Sequence, residues 1–233
     1  MKTVNIVTRT SGRPNFFKLC RENIVAQDYP HIRHIVLVDN NNDNSYVNDY
    51  PDIDKVIHIP DGKYPHFDSY LNEALEFFKN EVNDELFCMM DDDDFYTCSD
   101  AISLAANQIE NKDVIFYKVQ AAGGCVPFDH FMGGSKPLEY GQVSMLGFMM
   151  RTEFPNTENG QLLFDPQYGG DFYFIDKVVR TKLPDAYASN TIAWLPRVLA
   201  STNPVARQGQ GSCNDVDYNL AKQAYLKVFN NAF

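Results

Sequence analysis

Short apolar runs alternate with amphipathic segments through the first half of the chain, and this alternation constrains the fold most. Apolar residues recur at helical spacing in the segments that begin at Pro14 and Leu71. The apolar runs between these segments occupy positions 4–8, 34–39, 55–59 and 86–90. Strands that are apolar throughout and are separated by helices are typical of a parallel sheet with both faces covered. The sequence therefore predicts an α/β fold.

The second half of the chain has a less regular pattern. Its spacing predicts strands at 113–119, 143–150 and 191–195, helices at 99–109, 171–183 and 215–229, and a loop rich in Gly and Pro at 121–142. No internal repeat is present, and no stretch has the composition of a linker between independent domains. We therefore expect a single domain over residues 1–233, which is long enough to bury a large core.

The composition limits the partners that the chain can have. A formal net charge of −11 argues against nucleic acid or an anionic membrane as a partner. An anionic ligand remains compatible, because a bound divalent cation inverts the local field. We identify neither a signal peptide nor a transmembrane span, so we expect a cytoplasmic protein or a domain of a larger one. The five cysteines form no CxxC spacing, which indicates free, mostly buried thiols in a reducing compartment.

The stretch LFCMMDDDDFY, at 86–96, places four aspartates directly after an apolar run. Adjacent carboxylates repel one another, and burial deprives them of water. If they continue the strand, alternate carboxylates point to opposite sides, so that Asp91 and Asp93 share one side. This pair would offer hard oxygen ligands to one Mn²⁺ or Mg²⁺ ion. A solvated acidic turn is the alternative, but the position at the end of a buried strand favours the cation.

Other ligand-binding motifs are absent from the sequence. It has no GxGxxG after a strand, no GxxxxGK followed by Ser or Thr, and no GxSxG. Their absence argues against a dinucleotide oxidoreductase, a P-loop kinase and an α/β-hydrolase. The segment 39–50 begins like a calcium loop, but Asn44 stands where the turn needs Gly and Tyr50 where a bidentate Glu belongs. We reject a calcium site there.

Four elements, in order, resemble the family-two glycosyltransferases of the GT-A fold. NIVTRTSGRPNFFKLCRENIVAQDYPHIRHIVLVDN, at 5–40, is similar to the family's first strand, its PTYNRP-like turn and its Q-x-Y-P…I-V-V-D segment. MMDDDDFY looks like the family's F-L-D-x-D-D metal motif, MLGFMMR (145–151) like its G-x-x-x-x-R element, and FDPQYGGDFYFIDKV (164–178) like its F-D…G-E-D element. The resemblance covers most of residues 3–183. It implies a Rossmann-like, mostly parallel central sheet flanked by helices, with a smaller acceptor-side region.

The resemblance also implies an activity and roles for individual residues. The expected enzyme is a metal-dependent hexosyltransferase that uses a nucleotide-sugar donor, a UDP-sugar above all, and a glycan or other hydroxyl acceptor. Residues 1–95 would bind the donor, and residues 96–233 would bind the acceptor and carry out catalysis. Donor contacts are expected from Thr8, Arg9, Arg13, Asp39, Tyr70, Asn72, Asp91 and Asp92. Asp91 and Asp93 would hold the cation.

Asp171 would be the general base that takes the proton of the acceptor hydroxyl. One base opposite one leaving group implies a single displacement with inversion of the anomeric centre. The family's Glu before this base is Gly170 here, and no His follows His130 to ligate the metal. The cation would therefore rest on the aspartates, the diphosphate and water.

These assignments have alternatives. Asp39 also suits a turn at a strand end, and Asp171 suits a helix N-cap. Arg207 could clamp a diphosphate or be an ordinary exposed side chain. A sugar-nucleotide pyrophosphorylase is a second class, although its Gly-rich opening and phosphate-binding Lys are missing. A non-catalytic nucleotide- or glycan-binding module is a third.

Overall fold

The computed structural model describes residues 1–39, 42–134, 136–157, 160–167, 169–182, 190–203 and 215–230. The strands are β1 (Val4–Thr10), β2 (Ile32–Val38), β3 (Lys55–His58), β4 (Leu86–Met89), β5 (Phe95–Tyr96), β6 (Val114–Ala121), β7 (Gly124–Val126), β8 (Phe148–Arg151), β9 (Asn156–Thr157), β10 (Gly160–Gln161) and β11 (Ile192–Ser201). The α-helices are α1 (Pro14–Val25), α2 (Leu71–Glu81), α3 (Ala101–Gln108), α4 (Gly170–Lys182) and α5 (Tyr218–Asn230).

A central sheet carries the strands in the order β3–β2–β1–β4–β8–β6–β11–β5, with β7 paired to β6. β1, β2, β3 and β4 are mutually parallel. β8 is antiparallel to both β4 and β6, so β6 and its parallel neighbour β11 run in the same direction as β1. The predicted α/β fold with a mostly parallel sheet is confirmed. Parallel strands place their carboxyl ends at one edge, where ligands gather in open α/β sheets.

Both faces of the sheet are buried, as the apolar strands predict. In β4, Phe87 and Met89 face a core shared with α2 and α4, while Leu86 and Cys88 face a second core shared with α1 and α3. This alternation follows from the two-residue period of a strand. Full burial of a side chain such as Leu or Phe contributes roughly 1.5–3 kcal/mol, so these two cores fix the sheet that positions the site.

The C-terminal helix α5 holds the start of α1 in place. Ala221 and Ala224 of α5 pack with Phe16 and Leu19 of α1. Just before α5, the carboxylate of Asp215 accepts hydrogen bonds from the backbone N–H groups of Asn15 at 3.3 Å and Phe16 at 3.2 Å. These donors have no partner within α1, so Asp215 caps the helix. The loop between β1 and α1 is thereby fixed at the carboxyl edge of the sheet.

Some predicted elements differ from the observed ones. The strand expected at 143–150 is a buried 3₁₀ turn at Met145–Gly147 followed by the shorter β8. Ser144 favours the turn because its Oγ accepts a hydrogen bond from the N–H of Leu146 at 3.3 Å. The loop expected at 121–142 contains β7. The strand expected to end at 195 continues to Ser201, because a bulge between Leu195 and Val198 accommodates the intervening proline.

Two expectations concern the chain as a whole. In the described part of the chain, no helix has the length and apolar character needed to cross a membrane. Cys20, Cys88 and Cys98 are buried and free, and Cys125 is half-buried and free. Free, mostly buried thiols are confirmed for these four cysteines, whereas Cys213 lies outside the described residues.

Candidate active site

The aspartate run lies at the carboxyl edge of the sheet, but it forms a turn and not an extended strand. β4 ends at Met89, and the N–H of Asp94 donates to the carbonyl of Asp91 at 3.0 Å. The expectation that alternate aspartates point to opposite sides of a strand is therefore wrong. The chain has to turn here because β5 begins at Phe95 and pairs antiparallel with β11.

Arg9, near the end of β1, compensates two carboxylates. Its Nε and Nη2 donate to Asp91 Oδ1 at 2.8 Å and Oδ2 at 2.7 Å, which is a bidentate pair. Its Nη1 donates to Asp68 Oδ1 at 2.9 Å. The guanidinium also lies 4.8 Å from the centre of the Phe67 ring. Arg9 thus links β1, the turn after β4 and the 3₁₀ turn that contains Asp68.

Arg13, at the start of α1, compensates the next two aspartates. Its Nη1 donates to Asp93 Oδ2 at 3.1 Å, and its Nη2 forms an ion pair with Asp92 Oδ1. Asp92 is fully buried, and its Oδ2 accepts a hydrogen bond from Thr10 Oγ1 at 2.6 Å. Asp92 therefore holds the loop between β1 and α1, and it lines neither of the cavities described below.

Asn203, two residues beyond β11, closes the turn from the other side. Its Nδ2 donates to Asp93 Oδ2 at 2.8 Å, and its backbone N–H donates to Asp94 Oδ1 at 3.1 Å. The second half of the chain therefore contributes directly to the acidic turn.

The four carboxyl groups differ in their pKa values. Burial raises the pKa of Asp92 and of Asp94 well above the usual value, and it raises that of Asp93 less strongly. Burial also opposes ionisation of Asp91, but the charge and hydrogen bonds of Arg9 outweigh it and lower the pKa. Asp91 is thus a charged partner of Arg9, while Asp92 and Asp94 resist carrying a charge.

The fit of a divalent cation depends on which carboxylate oxygens remain available. Both oxygens of Asp91 face Arg9, whereas Arg13 and Asn203 both bind the Oδ2 atom of Asp93. In the part of the chain that the structure describes, no three His, Cys, Asp or Glu residues are grouped as a ready-made metal site. The donor chemistry suits Mn²⁺ or Mg²⁺ at Asp93, with the remaining ligands supplied from outside the protein.

Asp171 lies in the first turn of α4 and faces the same region. Its Oδ2 accepts a hydrogen bond from the N–H of Met145 at 3.0 Å, and its Oδ1 accepts one from Phe172 at 2.8 Å. Burial raises the pKa of Asp171, although these two N–H groups oppose the shift. A buried carboxylate with a raised pKa is a suitable proton acceptor near neutral pH.

Asp68 connects Arg9 to the start of α4. Its Oδ2 accepts a hydrogen bond from the N–H of Gly170 at 3.2 Å. A Cβ atom at position 170 would lie 2.9 Å from the Cβ of Asp68, so this close approach requires glycine. The pair fixes the backbone directly before Asp171.

Two neighbouring cavities meet at this cluster. The first, of about 410 Å³, is lined by Arg9, Thr10, Ser11, Arg13, Leu37, Asp39, Asn42, Phe67, Tyr70, Asp91 and Asp93. The second, of about 480 Å³, contains Asp171 and shares Arg9, Phe67 and Asp91 with the first. Both volumes are within the ~300–1,000 Å³ range of small-molecule pockets. A side pocket of about 360 Å³ adjoins the first cavity at Asp39 and Asn42.

The structure brings together most of the residues singled out in the sequence, but three expected donor contacts, Asp92 as described above and two others, line neither cavity. Thr8 is fully buried because β1 continues to Thr10, and its Oγ1 lies 2.9 Å from His34 Nε2. Asn72 uses its amide to bind the N–H of Phe164 at 2.8 Å and the carbonyl of the same residue at 3.1 Å. Neither side chain lines the cavities. Arg207 lies outside the described residues.

Sequence reasoning missed Thr10, Asp68 and Asn203. Ligands gather at the carboxyl ends of parallel strands. Once β1 and β11 are given their full lengths, this tendency predicts that Thr10 and Asn203 lie at the site. Asp68 lies close in sequence to Tyr70 and Asn72, two of the expected donor contacts, but no local pattern indicates that its carboxylate is buried against Arg9.

Comparison with solved structures identifies the fold. Residues 1–349 of TarS from S. aureus match with a TM-score of 0.63 at 14% sequence identity, over 99% of this chain and 71% of the TarS chain. The same TarS segment in complex with UDP-GlcNAc gives 0.61 at 14% identity, over 99% and 72%. The mannosyltransferase PcManGT from Pyrobaculum calidifontis, in complex with GDP-Man and Mn²⁺, gives 0.60 at 14% identity, over 99% and 73%.

The chain therefore has the fold of GT-A glycosyltransferases, as the sequence resemblance implied. No protein-family model and no curated protein matches the sequence. At this level of identity, the likeness establishes the fold, and the activity has to be argued from the site.

Proposed function

We propose that the protein is a glycosyltransferase that moves a sugar from a nucleoside diphosphate sugar to an acceptor hydroxyl. The observation that carries this proposal is the shared wall of the two cavities at Arg9, Phe67 and Asp91, with Asp93 on one side and Asp171 on the other. This arrangement suits a reaction in which a leaving group departs into one cavity while a base acts in the other.

The first cavity is the proposed donor site. The lining residues that the structure describes all fall within 1–95, which supports the proposal that this half of the chain binds the donor. Arg9 and Arg13 already pair with aspartates, so the proposed cation would add the positive charge that a diphosphate needs beside them. Asp39 lines both this cavity and the side pocket, where a nucleoside would fit. A UDP-sugar is the expected donor, since the TarS structure contains UDP-GlcNAc, and a GDP-sugar is the alternative that PcManGT represents.

Asp93 is the proposed protein ligand of a divalent cation. When bound, Mn²⁺ or Mg²⁺ stabilises the charge that develops on the departing diphosphate. Asp91 is also an expected ligand of the cation, but both of its oxygens bind Arg9. Its proposed role is to orient Arg9 at the boundary between the two cavities. Because the protein offers few ligands, cation binding should depend on the nucleotide.

Asp171 is the proposed general base. Its carboxylate would take the proton of the acceptor hydroxyl as that oxygen attacks the anomeric carbon. A single displacement of this kind inverts the anomeric centre. The hydrogen bonds from the N–H groups of Met145 and Phe172 hold the carboxylate in one orientation.

The substitution Asp171→Asn tests this assignment. We expect the variant to bind nucleotide as the wild type does and to lose about 10²–10⁴-fold in transfer, which is the usual contribution of a general base. The measurement is release of nucleoside diphosphate from UDP-glucose, UDP-GlcNAc and GDP-mannose in the presence of neutral mono- and disaccharide acceptors. Asp165→Asn is the control, because Asp165 pairs with Lys177 outside the cavities.

The results separate the competing functions. Full activity of Asp171→Asn would remove Asp171 as the base. Nucleotide binding by the wild type without release from any donor would favour a binding module. Formation of pyrophosphate from a nucleoside triphosphate and a sugar phosphate would favour a pyrophosphorylase.

A further inference from the structure

An aromatic wall stands beside Asp171 and has no role in the reaction described above. The wall consists of Tyr140, Phe172 and Tyr173. The ring centres of Tyr140 and Phe172 are 5.8 Å apart, those of Tyr140 and Tyr173 are 6.0 Å apart, and those of Phe172 and Tyr173 are 5.5 Å apart. Tyr140 is 55% exposed and Tyr173 is 40% exposed. Contiguous exposed apolar surface of this kind is typical of a ligand-binding groove.

The wall is built closely against the backbone that leads to Asp171. A Cβ atom at position 169 would lie 2.6 Å from Cε2 of Tyr140, and Gly169 has a φ of +80°. Both facts require glycine there, and they let the Tyr140 ring rest directly on the chain two residues before the proposed base. Tyr140 and Phe172 line the same cavity as Asp171.

The charge of this cavity limits what can occupy it. The described residues of its lining include four carboxyl groups, those of Asp68, Asp91, Asp94 and Asp171, of which Asp94 resists ionisation because it is buried. Among the same described residues the cation is Arg9, which already pairs with Asp68 and Asp91. An anionic acceptor would therefore meet the carboxylate of Asp171, and the described lining offers it no counter-charge beyond the paired Arg9. The cavity therefore suits an uncharged ligand with hydroxyl groups on one side and an apolar face on the other.

We propose that the aromatic wall binds the C–H face of an uncharged sugar ring in the acceptor, with the reacting hydroxyl directed toward Asp171. A sugar ring has an apolar face and a rim of hydroxyls, which matches aromatic faces next to carboxylates. The proposal rests on the proposed function, and it adds the chemical class of the acceptor: a neutral saccharide.

Saturation-transfer NMR tests the wall with defined probes: maltose, cellobiose, lactose, diacetylchitobiose and glucuronic acid, each with UDP and Mn²⁺ present. We expect saturation of ring C–H protons in at least one neutral disaccharide and none in glucuronic acid. Tyr140→Ala should weaken that binding about threefold to tenfold, as for the loss of an aromatic contact, while Tyr140→Phe retains it. Phe128→Ala is the control, since Phe128 is 43% exposed and lies outside this cavity.

Calorimetric titration of UDP against the same variants separates this inference from the proposed function. Tyr140 does not line the donor cavity, so Tyr140→Ala should bind UDP as the wild type does. UDP binding without saturation of any neutral disaccharide would overturn the aromatic subsite and leave the donor site intact. Equal saturation in the wild type and Tyr140→Ala, or saturation of glucuronic acid alone, would also overturn it. Disaccharide binding at Tyr140 without UDP binding would support the subsite while the proposed transferase failed.

Discussion

At the scale of single residues, the acidic turn is held by two arginines from the β1–α1 region. A run of four aspartates at a buried edge suggested either water or a cation as its compensation, and the structure adds the guanidinium groups of Arg9 and Arg13. Bidentate and buried pairs of this kind are costly to break, because removal of one partner leaves an uncompensated charge. The arrangement therefore fixes the geometry of the turn before any ligand binds.

Asp68 provides the sharpest prediction at this scale, since its charge acts on Asp171. Burial is the main cause of the raised pKa of Asp171, and the negative charge of Asp68 raises it further. The base must be ionised, so activity is present above its pKa and is lost as pH falls through it. Asp68→Asn removes the charge and keeps an oxygen for Arg9, while its amide nitrogen takes the place of the oxygen that accepts from the N–H of Gly170. We expect the acid limb of the kcat profile to move to lower pH, with unchanged UDP affinity.

Asp165→Asn is the matched control for this pH profile. Asp165 forms an exposed pair with Lys177 of α4, so its loss should leave the acid limb in place. An acid limb that stays unchanged in Asp68→Asn, or that moves to higher pH, would contradict the assignment of Asp171 as the titrating base.

At the scale of elements, the start of α4 depends on contact between Asp68 and Gly170. An alanine at 170 would place its Cβ 2.9 Å from the Cβ of Asp68 and 3.2 Å from the carbonyl oxygen of Asp165. We expect Gly170→Ala to reduce the free energy of unfolding by about 1–3 kcal/mol, as overpacking does. Urea denaturation measures the change. Gly170→Ala should also lower the rate of sugar transfer, since Asp171 is the next residue.

Gly123→Ala is the control for Gly170→Ala, because a Cβ at position 123 meets nothing within 4 Å. Its free energy of unfolding should remain within about 0.5 kcal/mol of the wild type. Equal stability of the two alanine variants would show that the start of α4 adjusts freely and that Asp68 does not fix it.

The elements that could be predicted from the sequence are those whose pattern is local. β1 to β4, α1 and α2 have continuous apolar runs or helical spacing, and all six are confirmed within a few residues. β5 and β7 consist of two and three residues, too short for any periodicity to show. They exist because β11 and β6 offer pairing edges, which is a property of the assembled sheet.

In the site, too, only features with a local pattern could be predicted from the sequence. Arg9, Asp39 and the aspartates come to one edge because they follow parallel strands, and the resemblance to the family adds Asp171. The pairing of Arg9 with Asp68 joins positions 59 residues apart, and that of Asn203 with Asp93 joins positions 110 apart. Such contacts depend on the register of the folded chain, so spacing along the sequence does not reveal them.

At the scale of the whole molecule, one sheet edge supports both the proposed donor site and the proposed general base. The described lining of the proposed donor cavity comes from the first half of the chain, while that of the cavity with Asp171 comes from both halves. Arg9 and Asp91 belong to both cavities, so the boundary between the cavities contains their bidentate ion pair. In the proposed function, the cation supplies the positive charge that lets a chain with a net charge of −11 bind an anionic donor beside the paired Arg9 and Arg13.

Calorimetric titration tests most directly the central claim that the protein has the donor site of a glycosyltransferase. The titrants are UDP, GDP, UDP-glucose, UDP-GlcNAc and GDP-mannose, each with and without Mn²⁺. The account predicts that one nucleotide series binds, that Mn²⁺ strengthens the binding, and that Asp93→Ala removes the effect of Mn²⁺ while the protein remains folded. Failure of the folded wild-type protein to bind any of these nucleotides, with or without Mn²⁺, would contradict the assignment of a glycosyltransferase donor site.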